Sequence, residues 1–116
     1  MLNPWYITGF CDGEAAFTYS RTGGSFGLYF AVKQREDNQQ IIEEIKAYFS
    51  DIGNIYRNKE SPPTKNSGFS KPSAYYRVTR INELKLIIDH FDRYPLQSKK
   101  KLEAYKLWRQ IGRAHV

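Results

Sequence analysis

Two acids flank a glycine near the start of the chain, Asp12-Gly13-Glu14, and cations cluster elsewhere, at Lys33 and Arg35 and in the run Lys99-Lys100-Lys101. Acids of this kind can bind cations or move protons. Read alone, Glu14 is equally compatible with a surface acid after a helix. The lysine run falls at the start of a predicted helix, where cations oppose the macrodipole, so a compensating contact such as phosphate is expected there. Several chemistries are excluded. No nucleophile motif is present. One cysteine and two distant histidines, His90 and His115, make no zinc set. Gly23-Gly24 with Gly27 is not followed by Gly-Lys-Ser/Thr and reads as a flexible turn rather than a phosphate loop. Cys11 reads as a packing residue and His90 as a helix-surface residue.

The charge points to an anionic partner. The net charge is +6 and the isoelectric point about 9.5, which favours nucleic acid over a membrane. No stretch approaches the roughly 18 apolar residues of a membrane span. Met1-Leu2-Asn3-Pro4-Trp5 has no basic region and no cleavage site, so no signal peptide is expected. A lone cysteine fits a reducing, intracellular compartment rather than secretion.

The elements that must position these groups follow from periodicity. A length of 116 residues is one domain, taken as 1–116. Asn3 followed by Pro4 predicts an N-cap and first turn, with a short helix to about Asp12 and Gly13 placed to end it. Gly9 and Gly13 fall on one face of that helix, where another backbone can come close. Residues Glu14 to Arg21 and Ser25 to Arg35 alternate with period two around a glycine turn, the signature of a hairpin. Asp37 with Gln40 predicts a capping box. Ile41, Ile42, Ile45, Phe49 and Ile52 then follow helical spacing, with Gly53 as the stop. Ile55 to Lys59 and Ala74 to Arg80 read as a second strand pair, joined by the long loop Ser61 to Pro72, which carries Lys65 and Lys71. Asn82 is the expected cap of a helix bearing Leu84, Ile87, Ile88 and Phe91, broken at Tyr94-Pro95. Ser98 is the expected cap of a last helix bearing Leu102, Tyr105 and Trp108.

The predicted order is αββαββα(α), an α+β domain with helices on one face of an antiparallel sheet. The other face stays open. It is expected to carry Thr18, Ser20, Tyr29, Lys33, Arg35, Tyr56, Asn58, Tyr75 and Arg77. A polar, basic and aromatic sheet face suits a groove of DNA, since strands enter grooves as helices do. A merely solvated face is the competing reading.

Ile7-Thr8-Gly9-Phe10-Cys11-Asp12-Gly13-Glu14-Ala15 resembles the motif that names the LAGLIDADG homing endonucleases. Gly9 matches, Phe10 and Cys11 fill the apolar positions, and Asp12-Gly13-Glu14 match the acid–small–acid end. Ile7 stands for Leu and Thr8 for Ala, and Ala15 replaces the final glycine. The predicted element order is similar to the family's core, so the resemblance covers essentially the whole chain. It implies a homing-endonuclease-like fold with a DNA-binding saddle. It also implies that motif helices of two units pack together, placing Thr8, Gly9, Asp12 and Gly13 at that seam. Glu14 takes the position of the metal-binding acid, with the Gly13 carbonyl as a backbone ligand, for Mg²⁺ or Mn²⁺. The implied reaction is phosphodiester hydrolysis by water activated at the divalent metal. Gln34 resembles the polar residue that orders water, and Lys99 the active-site lysine, with Lys100 next in register.

One motif supplies one carboxylate and one sheet, whereas cutting both strands needs two of each. The expected assembly is a homodimer on a near-palindromic site, or pairing with a second half carried by a longer, intron-encoded chain. The last six residues, Ile111-Gly112-Arg113-Ala114-His115-Val116, also back-translate into a common sequencing-adapter string and are a candidate non-native tail. Two other functions fit the same fold. One is an intron RNA maturase, for which a basic aromatic face also serves. The other is a catalytically inactive DNA binder, which would need no Glu14.

Overall fold

The structure is a computed structural model. It describes residues 2–22, 25–58 and 72–114, and of these the backbone alone at 20–22, 25–26 and 114. The glycines of the expected hairpin turn and nearly all of the expected Ser61 to Pro72 loop lie outside the described residues.

Asn3 and Pro4 open α1 (Pro4–Glu14) as predicted, with Asn3 Oδ1 accepting from the Trp5 amide at 2.8 Å. The helix passes through Gly13 instead of stopping there. Ala15 is already extended (φ −84°, ψ 154°), and its amide closes the last turn on the Cys11 carbonyl. The chain therefore enters the sheet without a left-handed residue, and no glycine is needed as a cap.

β1 (Ala15–Thr22) pairs antiparallel with β2 (Ser25–Arg35), placing Ala15 opposite Val32 and Thr18 opposite Tyr29. A single 3-10 turn, Glu36–Asn38, then leads into α2 (Gln39–Tyr48). The capping box expected from Asp37 and Gln40 does not form. No side chain caps this helix, and the Asn38 amide instead donates to Gln34 Oε1 at 2.8 Å. α2 ends before Gly53, because Ser50 and Asp51 already turn the chain at φ 59° and 61°. Gly53 (φ +75°) serves a close approach: a Cβ there would lie 2.6 Å from the Arg77 carbonyl oxygen.

β3 (Asn54–Asn58) and β4 (Ser73–Val78) complete an antiparallel sheet of order β1-β2-β4-β3. α3 (Ile81–Arg93) begins one residue before the expected cap Asn82, with an extended Arg80 at the N-cap and no side-chain cap. α4 (Lys99–Ala114) begins as predicted, with Ser98 Oγ accepting from the Lys101 amide at 3.4 Å.

Period two in the strands and period 3.6 in the helices meet in one core. Phe30, Val32, Tyr76 and Val78 project from the sheet onto Ile42 and Ile45 of α2, Ile87 and Phe91 of α3, and Tyr105 and Trp108 of α4. Phe17 joins Phe30, Phe91, Tyr105 and Trp108 with ring centroids 5.2–5.5 Å away. Each such side chain stabilises the fold by about 1.5–3 kcal/mol through burial.

His90, expected on a helix surface, is 6% exposed. Thr8 Oγ1 donates its one hydrogen to the Tyr94 carbonyl at 2.7 Å, so it accepts from His90 Nε2 at 3.0 Å. Nδ1 then carries no proton and accepts from the Tyr48 hydroxyl at 2.9 Å. Burial lowers the His90 pKa to about 4, which keeps the ring neutral. This network fastens α1 to α3.

Candidate functional site

The foot of α1 is where the chemistry-bearing residues converge. Glu14 is exposed at the last position of the helix and shares an open hollow with Lys33, Gln34, Arg35 and Ser73. Gln34 is held at both ends of its amide, donating to the Lys33 carbonyl at 3.0 Å and accepting from Asn38 at 2.8 Å. A second hydrogen and a second lone pair remain to orient a water. Arg35 pairs with Asp37 at 3.4 Å on the surface, a contact that a phosphate could replace.

α4 begins at the same place. Asp12 accepts from the Gln97 amide at 3.0 Å and the Ser98 amide at 2.9 Å, at the positive end of α4. Burial opposes its charge, but hydrogen bonds from Ser98 and Gln97 and the Lys101 charge outweigh that and hold the carboxyl below its usual range. In return, Lys101 Nζ donates to the Ala15 carbonyl, at the negative end of α1. The two helix ends thus exchange opposite charges. This holds Lys99, exposed at the first position of α4, beside the foot that carries Glu14.

Glu14 and the exposed Gly13 supply hard oxygen donors, the type that Mg²⁺ prefers. Among the described residues no three His, Cys, Asp or Glu side chains are grouped where they could hold a metal ion.

The sheet face away from the helices carries the expected residues. In register across the four strands lie Thr18 and Tyr29, Lys33 with Tyr75 and Tyr56, Arg35 with Asn58 beyond Ser73, and Arg77 opposite Ala31 and Asn54. The side chain of Ser20 lies outside the described residues. Tyr56 and Tyr75 stack at 5.2 Å. The Arg77 guanidinium lies 4.0 Å above the centre of the Tyr29 ring.

α1 presents a second open face. Gly9 and Gly13 are exposed, and a Cβ at either would meet nothing within 4 Å. Trp5 and Tyr6 flank them at 51% and 49% exposure, large aromatic area for a surface helix.

The sequence profile described as LAGLIDADG endonuclease matches residues 7–112. This chain belongs to the LAGLIDADG endonuclease family. A probable intron-encoded endonuclease, Cox1-I1b of Schizosaccharomyces pombe, is 33% identical over 86% of this chain and 24% of its own length. An uncharacterized 50.9 kDa protein in ND4 intron 1 of Podospora anserina is 31% identical over 94% of this chain and 23% of its own. The solved LAGLIDADG meganuclease I-AabMI, bound to uncleaved DNA, superposes with a TM-score of 0.76 at 32% identity, over 97% of this chain and 36% of that one. The chain therefore spans about a quarter of the curated relatives and about a third of that structure.

Within the LAGLIDADG helix, two residues expected at the seam face elsewhere. Thr8 is 1% exposed and bonds to α3 and its end, because its hydroxyl is needed by His90. The Asp12 carboxylate caps α4 of its own chain. Gly9 and Gly13 alone of the four keep to the open face. Sequence reasoning missed Asn38 as the partner of Gln34 and Lys101 as the lysine touching the foot of α1. The available signal for Lys101 was its place one turn after Ser98, on the inward side of α4.

Proposed function

We propose that this chain is a DNA-cleaving unit of a homing endonuclease, acting inside the cell on a long double-stranded target. The observation that carries this reading is the shared hollow. Glu14 and the water-orienting amide of Gln34 open onto one space at the edge of a polar, cationic and aromatic sheet face. A solvated sheet face alone would not require an acid, an anchored amide and a lysine helix start at its border.

In this reading the open sheet face lies along the duplex and brings a phosphodiester to the foot of α1. Glu14 and the Gly13 carbonyl would hold Mg²⁺ or Mn²⁺, which would supply an activated water and stabilise the leaving 3′ oxygen. Gln34 orients that water. Lys99 places a cation against the charge that develops on the phosphate. Asp12 and Lys101 keep the two helix ends, and so Glu14 and Lys99, in register. The glycine face of α1 packs against the same face of a second unit, either another copy or a second half, which supplies the other carboxylate.

Incubation with a randomised duplex library and Mg²⁺ tests this directly. Cleavage at one long site, abolished by EDTA, is the expected result. Binding without cleavage would favour an inactive binder. Preference for structured intron RNA over any duplex would favour a maturase.

A further inference from the structure

The centre of the open sheet holds an arginine that, among the described residues, no protein group engages by hydrogen bond. Arg77 stands on β4, flanked across the register by the small Ala31 on β2 and by Asn54 on β3. Its guanidinium reaches diagonally to β2 and stacks on Tyr29 at 4.0 Å. Its Nε is buried and has no hydrogen-bond partner, and among the described residues no carboxylate pairs with it. A buried donor left unpaired costs stability. A residue serving only the fold would be expected to satisfy it.

The seat over the Tyr29 ring restrains the guanidinium without using its hydrogens. The terminal nitrogens keep their fork of donors, with the small Ala31 on one side and Asn54 on the other in the register. Such a fork matches two adjacent acceptors in one plane. In the major groove guanine alone offers that pair, O6 and N7. Adenine pairs an acceptor with a donor, thymine an acceptor with a methyl group, and cytosine presents a donor. A phosphate would accept the same charge, but it does not require an orientation set in advance.

We infer that Arg77, held by Tyr29, reads one guanine in the half-site that its chain contacts. This rests on the proposal that the open face binds duplex DNA. Tyr29 is a positioning residue: it restrains the guanidinium and touches no base edge.

The test is selection of bound sites from a randomised duplex library without divalent metal, for the wild type and for Arg77→Lys, Arg77→Ala and Tyr29→Leu. The wild type should recover a site with an invariant G·C pair attributable to Arg77 in each half-site that a copy of this chain contacts. Arg77→Lys keeps the charge and a donor for guanine O6 or N7 but loses the planar fork. It should bind within a few-fold of wild type with a weakened guanine preference at that pair. Arg77→Ala should lose the same preference and bind the wild-type site about 5- to 150-fold more weakly. Tyr29→Leu should weaken preference at that pair and leave the other positions unchanged. If Arg77→Ala keeps the guanine preference, another residue reads that base and the inference fails while the DNA reading stands. The inference likewise fails alone if the relaxed position is not guanine. If the wild type recovers no site at all, both fail.

Discussion

Lys99 and Lys101 stand two residues apart on α4, with separate tasks. Lys101 ties α4 to the Ala15 carbonyl, and Lys99 is exposed at the first position of α4. Replacing them should separate stability from chemistry. Lys101→Met removes a charged hydrogen bond, and the melting temperature should fall by roughly 5–10 °C. Lys99→Ala should leave the melt unchanged and slow cleavage by about 10²–10³-fold, the typical cost of losing one charge-stabilising group. Thermal melts beside single-turnover cleavage rates decide the assignment. A large cleavage defect in Lys101→Met at an unchanged melting temperature would move the catalytic role to Lys101.

At the scale of elements, α1 is the part that most needs tertiary support. Its two glycines each cost about 1 kcal/mol relative to alanine in a helix. The Thr8–His90–Tyr48 network compensates, and it makes stability depend on pH. His90 titrates near 4 when folded and near 6.5 when unfolded. Its contribution is complete above about pH 6.5. It is lost as pH falls towards 4, by up to on the order of 3 kcal/mol, because the unfolded chain takes up a proton the fold excludes. In denaturant titrations, the stability gap between wild type and His90→Gln should shrink over that range, and a constant gap would contradict the account. Gly53→Ala should cost more than about 1–2 kcal/mol, since it adds strain at φ +75° to a clash with the Arg77 carbonyl oxygen. Equilibrium unfolding of that variant checks it. The strands and helices were legible because their periodicities are local: Leu28, Phe30 and Val32 alternate, and Ile41, Ile42 and Ile45 recur at helical spacing. Boundaries failed where a neighbouring contact intervened: in place of the capping box from Asp37 and Gln40 there is a 3-10 turn, and the Asn38 side chain holds Gln34 four residues back. The burial of His90 depends on Thr8, 82 residues away, and the Lys101 contact spans 86 residues. Neither can be read before the sheet order is known. Glu14, Gln34 and Lys99 were legible only through the family motif, since nothing in their own spacing brings them together.

At the scale of the molecule, the proposed pairing of two units rests on the open face of α1, where a Cβ at Gly9 or Gly13 meets nothing within 4 Å. Gly9→Leu should leave the isolated chain as stable as wild type or slightly more so, because a leucine meets no neighbour there and favours helix by about 1 kcal/mol. It should nevertheless abolish association with a second unit, read by sedimentation on target DNA, and cleavage with it. The proposed cleavage depends on Glu14. Wild type and Glu14→Gln are compared for binding and Mg²⁺-dependent cleavage of the duplex recovered by selection. Glu14→Gln should bind within a few-fold of wild type and cut nothing. Cleavage by Glu14→Gln at the wild-type rate would contradict the account.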